Sequence, residues 1–281
     1  MDKLDPNNYY LNFRIKWGIE SYHFDLKFNI QVFGFALHKL YLRNRELCAP
    51  KTLYKYYRPT SYNLESLREK YLYFTDPLKF NDPFDCISQK ENDSKFRNNQ
   101  YSIYRENLGV CCFSTVKNNL QMWAFYTDSY RGFCVKFNND DQFMPYQKSL
   151  NIKSHVLYLK NLLIDHPNFL ETVGGIDKYI SDKDYAEWIK QFVTYYYQYC
   201  CKANSWSYEN EYRLISLFAQ MCDRKMSFFP SNIHEIYIGY NMEETYLNLL
   251  MNILRSDYPH VKIYKVIPNI SKVKLDFKKV H

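Results

Sequence analysis

The segment Ser205–Leu217, SWSYENEYRLISL, alternates between polar and apolar side chains, which is the pattern of a β-strand. Successive side chains of a strand point to opposite faces, so Glu209, Glu211 and Arg213 are predicted to share one face. The tyrosines and the leucine between them share the other face. The charged face is either exposed to water at a sheet edge or the floor of a functional site. The apolar sequence on both sides favours a strand inside the sheet.

Two carboxylates that are two residues apart on one strand face lie roughly 7 Å from each other. At that distance Glu209 and Glu211 can share a ligand or divide the roles of acid and base. Arg213 beside them can keep Glu211 ionised and oriented. The arrangement is typical of a general base, or of a carboxylate that stabilises a positive charge.

The composition indicates a folded chain that is rich in aromatic residues. With 281 residues, 46% of them hydrophobic, the chain can bury a substantial core as one large domain or as one domain with an extension. The 29 tyrosines supply core and strand surface, and tyrosine-rich clefts also stack on nucleotides. The net charge of +7 favours polyanions, although no single block of basic residues stands out.

The cysteine pattern and the hydropathy point to the cytosol. The eight cysteines form no CxxC pair, and no Cys/His cluster has the spacing of zinc ligands, so no metal is expected. The adjacent pairs Cys111-Cys112 and Cys200-Cys201 lie in apolar contexts that are typical of buried thiols in a reducing compartment. The apolar run at 28–42 is too short and too polar to span a bilayer. We therefore predict a cytoplasmic protein without a membrane partner.

Residues 1–50 are predicted to be an N-terminal helical arm or extension, and residues 51–281 a single α+β domain. The helical prediction depends on the roughly helical spacing of Phe28, Val32 and Phe35. The arm is expected to pack on the main domain, or to mediate a contact with a partner or with a second copy of the chain.

The pattern of the main domain predicts a mixed, mostly antiparallel sheet core with flanking helices and a C-terminal βαβ unit. The predicted strands are LYKYYRP at 53–59, YLYFTDP at 71–77, GVCCFST at 109–115, RGFCVKFN at 131–138, HVLYL at 155–159, HEIYIGY at 234–240 and HVKIYKVIP at 260–268. The predicted helices lie at 61–70, 118–130, 181–202 and 242–258. A polar segment at 91–100 is predicted to be an exposed connection.

The FNDPFD loop, Phe80–Asp85, combines turn residues with a tight polar cluster. Asn81, Asp82 and Asp85 can bind a ribose or a cation. Asn81 can instead hydrogen-bond the backbone and hold the loop in place. The two phenylalanines of the loop are expected to pack into the core.

The helix at 118–130 and the strand before it carry three further candidates. Trp123 and Tyr126 lie one helical turn apart and form either part of the core or a stacking platform for a base. Ser114, at the end of the strand, is either a helix cap or a hydroxyl group of a site. A Ser-His-Asp triad has little support, because no histidine lies between His38 and His155. No GxGxxG or P-loop sequence is present, which excludes those two phosphate-binding motifs.

Four sequence blocks carry a family resemblance. In chain order they are LYKYYR, LYFTDPLKFNDPFD, CCFSTVKNNLQMWAFYTDSYRGFCVKF and WSYENEYRLI. Together they resemble a widespread bacterial and phage-associated domain family of unknown function. The tail IYIGYN followed by KIYKV is similar to the C-terminal unit of that family. The resemblance covers residues 53–268 and by itself implies no activity.

The order of three residue types further resembles ADP-ribosyltransferases of the arginine–serine–glutamate type. The resemblance implies that nicotinamide adenine dinucleotide (NAD) is the substrate and that Arg58 holds its phosphate or ribose. It implies that Ser114 supports the nicotinamide ribose and that Glu211 stabilises the oxocarbenium ion formed as nicotinamide leaves. Glu209 would then activate the acceptor.

Other parts of the chain fit this resemblance less closely. In the site that the resemblance implies, an aromatic residue such as Tyr54 or Trp123 can sandwich the nicotinamide ring. Ser114 is followed by Thr-Val rather than by the usual x-Ser, and Arg58 stands next to a proline at the strand end. The separation from Ser114 to Glu209 is long.

The resulting expectation is an effector or toxin that uses NAD, with a role in phage defence and with a nucleic acid or a protein as acceptor. Two other classes stay open. One is a metal-dependent nuclease with Asp82, Asp85, Glu209 and Glu211 as oxygen ligands of magnesium. The other is a non-catalytic sensor or interaction module.

Overall fold

The structure is a computed structural model that describes residues 8–17, 20–29, 34–42, 45–86, 107–140, 143, 152–160, 196–216, 219 and 223–280. The predicted connection at 91–100 and most of the predicted helix at 181–202 lie outside the described residues. Of that helix, residues 196–202 are described; 196–200 are helical, whereas 201–202 belong to a strand, so the predicted helix extends two residues too far. No helix in these ranges is long and apolar enough to cross a membrane.

The N-terminal segment forms β-strands. The strands are β1 (Asn8–Trp17), β2 (Glu20–Asn29), β3 (Gly34–Leu42) and β4 (Arg45–Glu46), and they pair in chain order as a four-stranded antiparallel sheet. The helical prediction for residues 1–50 is therefore wrong. Tyr22 and Phe24 alternate on β2 with a period of two and are both buried, because their rings pack into a cluster with residues of the main domain such as Tyr196. The Phe24 and Tyr196 rings meet edge to face at 5.0 Å.

The other strands, in chain order, are β5 (Thr52–Tyr57), β6 (Tyr71–Tyr73), β7 (Gly109–Ser114), β8 (Phe133–Asn138), β9 (Ile152–His155), β10 (Leu157–Leu159), β11 (Cys201–Ala203), β12 (Glu211–Ser216), β13 (Lys225–Ser227), β14 (Ile233–Ile238), β15 (Lys262–Asn269) and β16 (Lys274–Lys279). The helices are α1 (Ser61–Arg68), α2 (Leu120–Tyr126) and α3 (Glu244–Asp257). Short 3₁₀ turns lie at Pro77–Lys79, Asn204–Glu209 and Pro230–Asn232.

Eight of these strands form the central sheet in the order β16-β15-β14-β8-β5-β7-β12-β9. Among the described pairings of this sheet, only that of β14 with β15 is parallel, and α3 connects these two strands. The predicted α+β fold, with a mostly antiparallel sheet and a C-terminal βαβ unit, is confirmed. The sequence did not indicate β16, which returns antiparallel to β15 and forms one edge of the sheet.

Local sequence explains why the helices begin and pack where they do. The Thr60 hydroxyl accepts a hydrogen bond from the Asn63 amide and so caps α1. On α3, the buried residues Leu250, Ile253 and Leu254 follow the helical period and face the core.

The central sheet opens between β5 and β7. In these two fully described strands, the only ladder pair is Tyr54 with Ser114, whereas β5 pairs with β8 and β7 pairs with β12 over six residues each. The Lys55 ammonium group donates to the carbonyl of Cys112 at 3.0 Å, where a continuous ladder would supply a backbone amide. The opening creates the entrance to the site described below.

The predicted strand at 205–217 is only partly correct. Residues Asn204–Glu209 form a 3₁₀ turn, and the strand β12 begins at Glu211. Asn210 between them has a left-handed backbone with φ of 46°, a conformation that asparagine tolerates because its short amide bonds locally. Its side-chain amide donates to the Tyr208 carbonyl at 3.0 Å. Glu209 is therefore placed by a turn and not by strand alternation.

The cysteine prediction is consistent with the described part of the chain. All seven cysteines there are free, and five of them are buried.

Candidate active site

A cavity of about 780 Å³ lies where β5 and β7 separate. This volume is in the range of pockets that hold nucleotide-sized ligands. We call one side of it the buried end, which is lined by Asp85, Ser114, Lys202, Glu209 and Glu211. The exposed end is lined by Arg58, Tyr62, Glu65, Lys79, Asn81 and Lys225.

Arg213 lies directly beneath the buried end and is fully buried. Its Nε and Nη2 donate to the two oxygens of Glu211 at 2.8 and 2.9 Å, and its Nη1 and Nη2 donate to the two oxygens of Asp85 at 2.9 and 2.6 Å. The Nη1 group also donates to the Tyr199 carbonyl at 2.7 Å. All five N–H groups of the guanidinium therefore have an acceptor, which fixes both carboxylates in position.

Lys202 lies between the three carboxylates of the buried end. Its Nζ is 2.8 Å from Glu209, 3.3 Å from Asp85 and 3.9 Å from Glu211. The ammonium group also lies 4.5 Å from the centre of the Trp206 ring. Burial of this lysine is therefore compensated by charge on one side and by an aromatic face on the other.

Glu209 is held at both carboxylate oxygens. Its Oε1 accepts a short hydrogen bond from the Tyr126 hydroxyl, and its Oε2 accepts from Lys202. The Glu209 carbonyl accepts from the Ser114 hydroxyl at 2.7 Å. Ser114 thus joins β7 to the turn that carries Glu209.

The two glutamates have pKa values shifted in opposite directions. Burial raises the pKa of Glu209, the charge of Glu211 raises it further, and Lys202 only partly opposes this. Burial also acts to raise the pKa of Glu211, but Arg213 and Lys202 outweigh it and hold that pKa below its usual value. Asp85 follows the same pattern as Glu211. Neighbouring carboxyl groups with pKa values pushed apart are typical of an acid or base beside a permanently ionised group.

Local turn chemistry places Asp85 under the site. The Asp82 carboxylate accepts a hydrogen bond from the Phe84 amide at 2.9 Å and so stabilises the turn of the FNDPFD loop. Asp82 is buried, and its second oxygen, Oδ2, has no hydrogen-bond partner among the described residues. Asn81 is exposed and lines the cavity. In this loop the residue that reaches the charge cluster is Asp85.

The cavity brings together most of the residues that the sequence singled out. Tyr54, Arg58 and Tyr126 line it. Trp123 is fully buried and packs against the rings of Tyr56 and Tyr130, so it belongs to the core. The proposal that Trp123 stacks on a ligand is therefore not supported by its position.

Two residues of the cluster, Lys202 and Tyr158, were not predicted from the sequence. Lys202 follows the apolar Cys200-Cys201 pair, and a lysine in so apolar a context is a signal for a buried partner charge. The hydroxyl group of Tyr158 accepts from the Glu211 amide at 2.9 Å. No local pattern indicated Tyr158, because only the fold places it beside β12.

Within the described ranges, no group of three or more His, Cys, Asp or Glu residues has a geometry that could hold a metal ion. Three of the four carboxylates that the nuclease alternative needs, those of Asp85, Glu209 and Glu211, are instead engaged by Arg213 and Lys202.

Residues 122–214 match the model of a family described as a protein of unknown function, DUF2971. The matched range includes most of α2, all of β8 and the Glu209–Arg213 segment. The match supports the predicted resemblance to a domain family of unknown function over this part of the chain. No curated protein and no solved structure gives a significant match. The resemblance to ADP-ribosyltransferases therefore stays a prediction.

Proposed function

We propose that the cavity binds NAD and that the protein transfers ADP-ribose from it to an acceptor. One observation carries the proposal: β5, which Arg58 follows directly, β7, which bears Ser114, and β12, which bears Glu211, are neighbours in the sheet, in that order, around the opening. Ser114 pairs with Tyr54 of β5 on one side and with Glu211 of β12 on the other. Arg58 follows β5 directly and lines the same cavity.

The buried end suits cleavage of the bond between C1′ of the ribose and the nicotinamide nitrogen. As that bond breaks, its electron pair leaves with nicotinamide and positive charge develops on the ribose. Glu211, kept ionised by Arg213, would stabilise this charge, and its fixed orientation avoids reorganisation during the reaction. An acceptor atom then forms the new bond to C1′ from the other side.

Glu209 is suited to take the proton that the acceptor releases. Its pKa is raised from the usual value, so the carboxylate is a better base than an exposed glutamate. Tyr126 orients the carboxylate from the side of the cavity.

The exposed end is suited to the phosphates of a dinucleotide. Arg58 and Lys79 are exposed, and neither forms an ion pair with any other residue in the described ranges. Two such cations can neutralise a pyrophosphate. We further propose that the protein acts as a toxin or as an effector in phage defence. The acceptor of the ADP-ribose would be a nucleic acid or a protein.

The decisive experiment is to incubate the full chain with NAD and a bacterial lysate, and to measure nicotinamide release and the transfer of labelled ADP-ribose. We expect Glu211→Gln to lower the rate by about 100-fold or more, because one electrostatic contact to the transition state is removed. Arg58→Ala, at an exposed position, is expected to raise KM for NAD without unfolding the protein.

A matched control is Lys51→Gln, which changes an exposed charged residue that does not line the cavity. Its rate should stay close to that of the wild type. The absence of both NAD binding and nicotinamide release in the wild type would reject the proposal. Magnesium-dependent degradation of nucleic acid would then favour the nuclease.

A further inference from the structure

The C-terminal ribbon, which we define as β15, β16 and the turn between them, carries most of the net charge of the protein. Residues 262–281 contain six lysines and one acidic residue, so this segment accounts for five of the seven net positive charges of the chain. The lysines are Lys262, Lys265, Lys272, Lys274, Lys278 and Lys279. They are not contiguous in sequence, and the antiparallel pairing of the two strands brings them onto one ribbon.

Two of these lysines face each other without a counter-ion. Lys265 on β15 is the direct partner of Lys278 on β16, so their side chains point to the same face. Both are exposed, and neither forms an ion pair with a residue of the described ranges. Like charges in this position repel each other. The single aspartate of the ribbon, Asp276, is already paired with Lys274 at 3.0 Å.

Protection of a sheet edge explains only part of this pattern. Lysines on an edge strand discourage pairing with another chain, and this accounts for those on β16. It does not account for Lys262 and Lys265, because β15 is paired on both sides, with β14 and with β16. Edge protection therefore leaves the charge on β15 unexplained.

The positive surface continues beside the ribbon. A groove of about 400 Å³ is lined by Lys117, Asn118, Lys274 and Phe277. The Lys117 ammonium group bonds to the Tyr237 hydroxyl at 3.0 Å and lies 4.9 Å from the centre of the Phe277 ring. Aromatic faces thus hold a seventh cation next to β16.

We propose that the C-terminal ribbon is a docking surface for the phosphate backbone of double-stranded nucleic acid. A two-stranded ribbon fits the major groove of a duplex, and lysines on both strands can reach phosphates on either side. The described part of the ribbon has no exposed aromatic ring, so it offers phosphate contacts and no stacking platform for single-stranded bases.

The distribution of charge favours a linear polyanion over a membrane surface. Ile270 and Val273, at the turn, are 90% and 78% exposed and would be the residues to enter a lipid surface. From Lys265 to Asn269 the strand rises about 13 Å, which exceeds the screening length of about 8 Å at physiological salt. Lys262, Lys265 and their neighbours on β16 would contribute little to a membrane contact at the turn. A nucleic acid can lie along the whole ribbon.

This inference does not depend on the proposed NAD chemistry, and a binding experiment tests it separately. Fluorescence anisotropy of a labelled duplex DNA of about two helical turns is measured with the full chain over a range of salt concentrations. If about four lysines contact phosphates, the logarithm of the binding constant should fall with the logarithm of salt with a slope of about −3.6. The double variant Lys265→Glu/Lys278→Glu should bind at least about tenfold more weakly.

The matched control is Lys51→Glu/Lys160→Glu, which makes the same change of net charge at two exposed positions outside the ribbon. It should bind within about twofold of the wild type. Lys265→Gln/Lys278→Gln removes the two charges without adding new ones, and should give a smaller loss in the same direction even if the Glu variant fails to fold. Equal losses in the ribbon and control variants, tighter binding of single strands, or binding of anionic vesicles without binding of the duplex would each overturn the proposal.

Discussion

The two ends of the cavity contain ion pairs of similar geometry in different surroundings. At the buried end, Lys202 and Glu209 lie 2.8 Å apart with side chains that are each 4% exposed. At the exposed end, Lys225 and Glu65 lie 3.0 Å apart with side chains 46% and 43% exposed. Because water screens the second pair and not the first, nearly equal distances have very different consequences for stability. The comparison shows that burial, not distance, identifies the charges on which the site depends.

The largest test of this difference is Arg213→Met. The variant leaves Asp85 and Glu211 buried without their guanidinium partner, so the free energy of unfolding should fall by about 3–5 kcal/mol. Urea denaturation followed by circular dichroism measures it. The matched control at the exposed end, Lys225→Met, should leave the midpoint of urea denaturation nearly unchanged. Similar losses of unfolding free energy in both variants would show that the contribution of these ion pairs to stability does not depend on their burial.

The second test is Asp85→Asn, followed as a function of pH. Burial acts to raise the pKa of Asp85, but Arg213 outweighs it, so the folded-state pKa lies below the unfolded value. The carboxylate therefore stabilises the fold above the unfolded pKa of about 3.9, and this contribution is lost as pH falls through the lower folded pKa.

We expect the Asn variant to be less stable than the wild type by roughly 2 kcal/mol near neutral pH, since it keeps an acceptor for the guanidinium but loses the charge. The difference in stability should begin to shrink as pH falls below the unfolded pKa of about 3.9, and it should disappear once the carboxylate of the folded wild type is protonated. Urea denaturation across this pH range measures it. A difference that grows on acidification would contradict the assigned direction of the pKa.

The smallest effect is expected for Glu65→Gln. The hydrogen bond from Lys225 lowers the pKa of Glu65, so its contribution exists above the unfolded pKa and disappears as pH falls. The pair is exposed, and added salt should cancel what it contributes. Thermal unfolding at low and high salt should give no shift between variant and wild type at high salt. A difference in melting temperature that persists at high salt would show that the Lys225–Glu65 pair contributes to stability as the buried Lys202–Glu209 pair does.

Local patterns predicted much of the fold because several strands carry their signal within a few residues. GVCCFST and RGFCVKFN are short apolar runs bounded by turns, and they form β7 and β8. The prediction for the N-terminal segment failed because its aromatic spacing fits a helix as well as a strand. Long-range strand pairing decides between the two. The prediction of a strand before Glu211 failed because the alternation of polar and apolar residues cannot reveal the left-handed backbone of Asn210.

The site was predictable only where its residues are close in sequence. The closeness of Glu209, Glu211 and Arg213 in sequence led to one predicted charged group, although a turn and not strand alternation places Glu209. Burial of all three favours a site over a solvated face. The pairing of Arg213 with Asp85 joins residues 128 positions apart and depends on the register of the whole sheet. No pattern within a window of the sequence contains that information.

The opening in the central sheet determines how a large molecule reaches the glutamates. Five strands on one side and three on the other meet at the single pair of Tyr54 and Ser114. Across the opening, the Lys55 ammonium group also bridges the two parts of the sheet through the Cys112 carbonyl, while β5 with β8 and β7 with β12 are each paired over six residues. The width of the entrance to the glutamates is therefore set by the spacing of two half-sheets that one ladder pair joins.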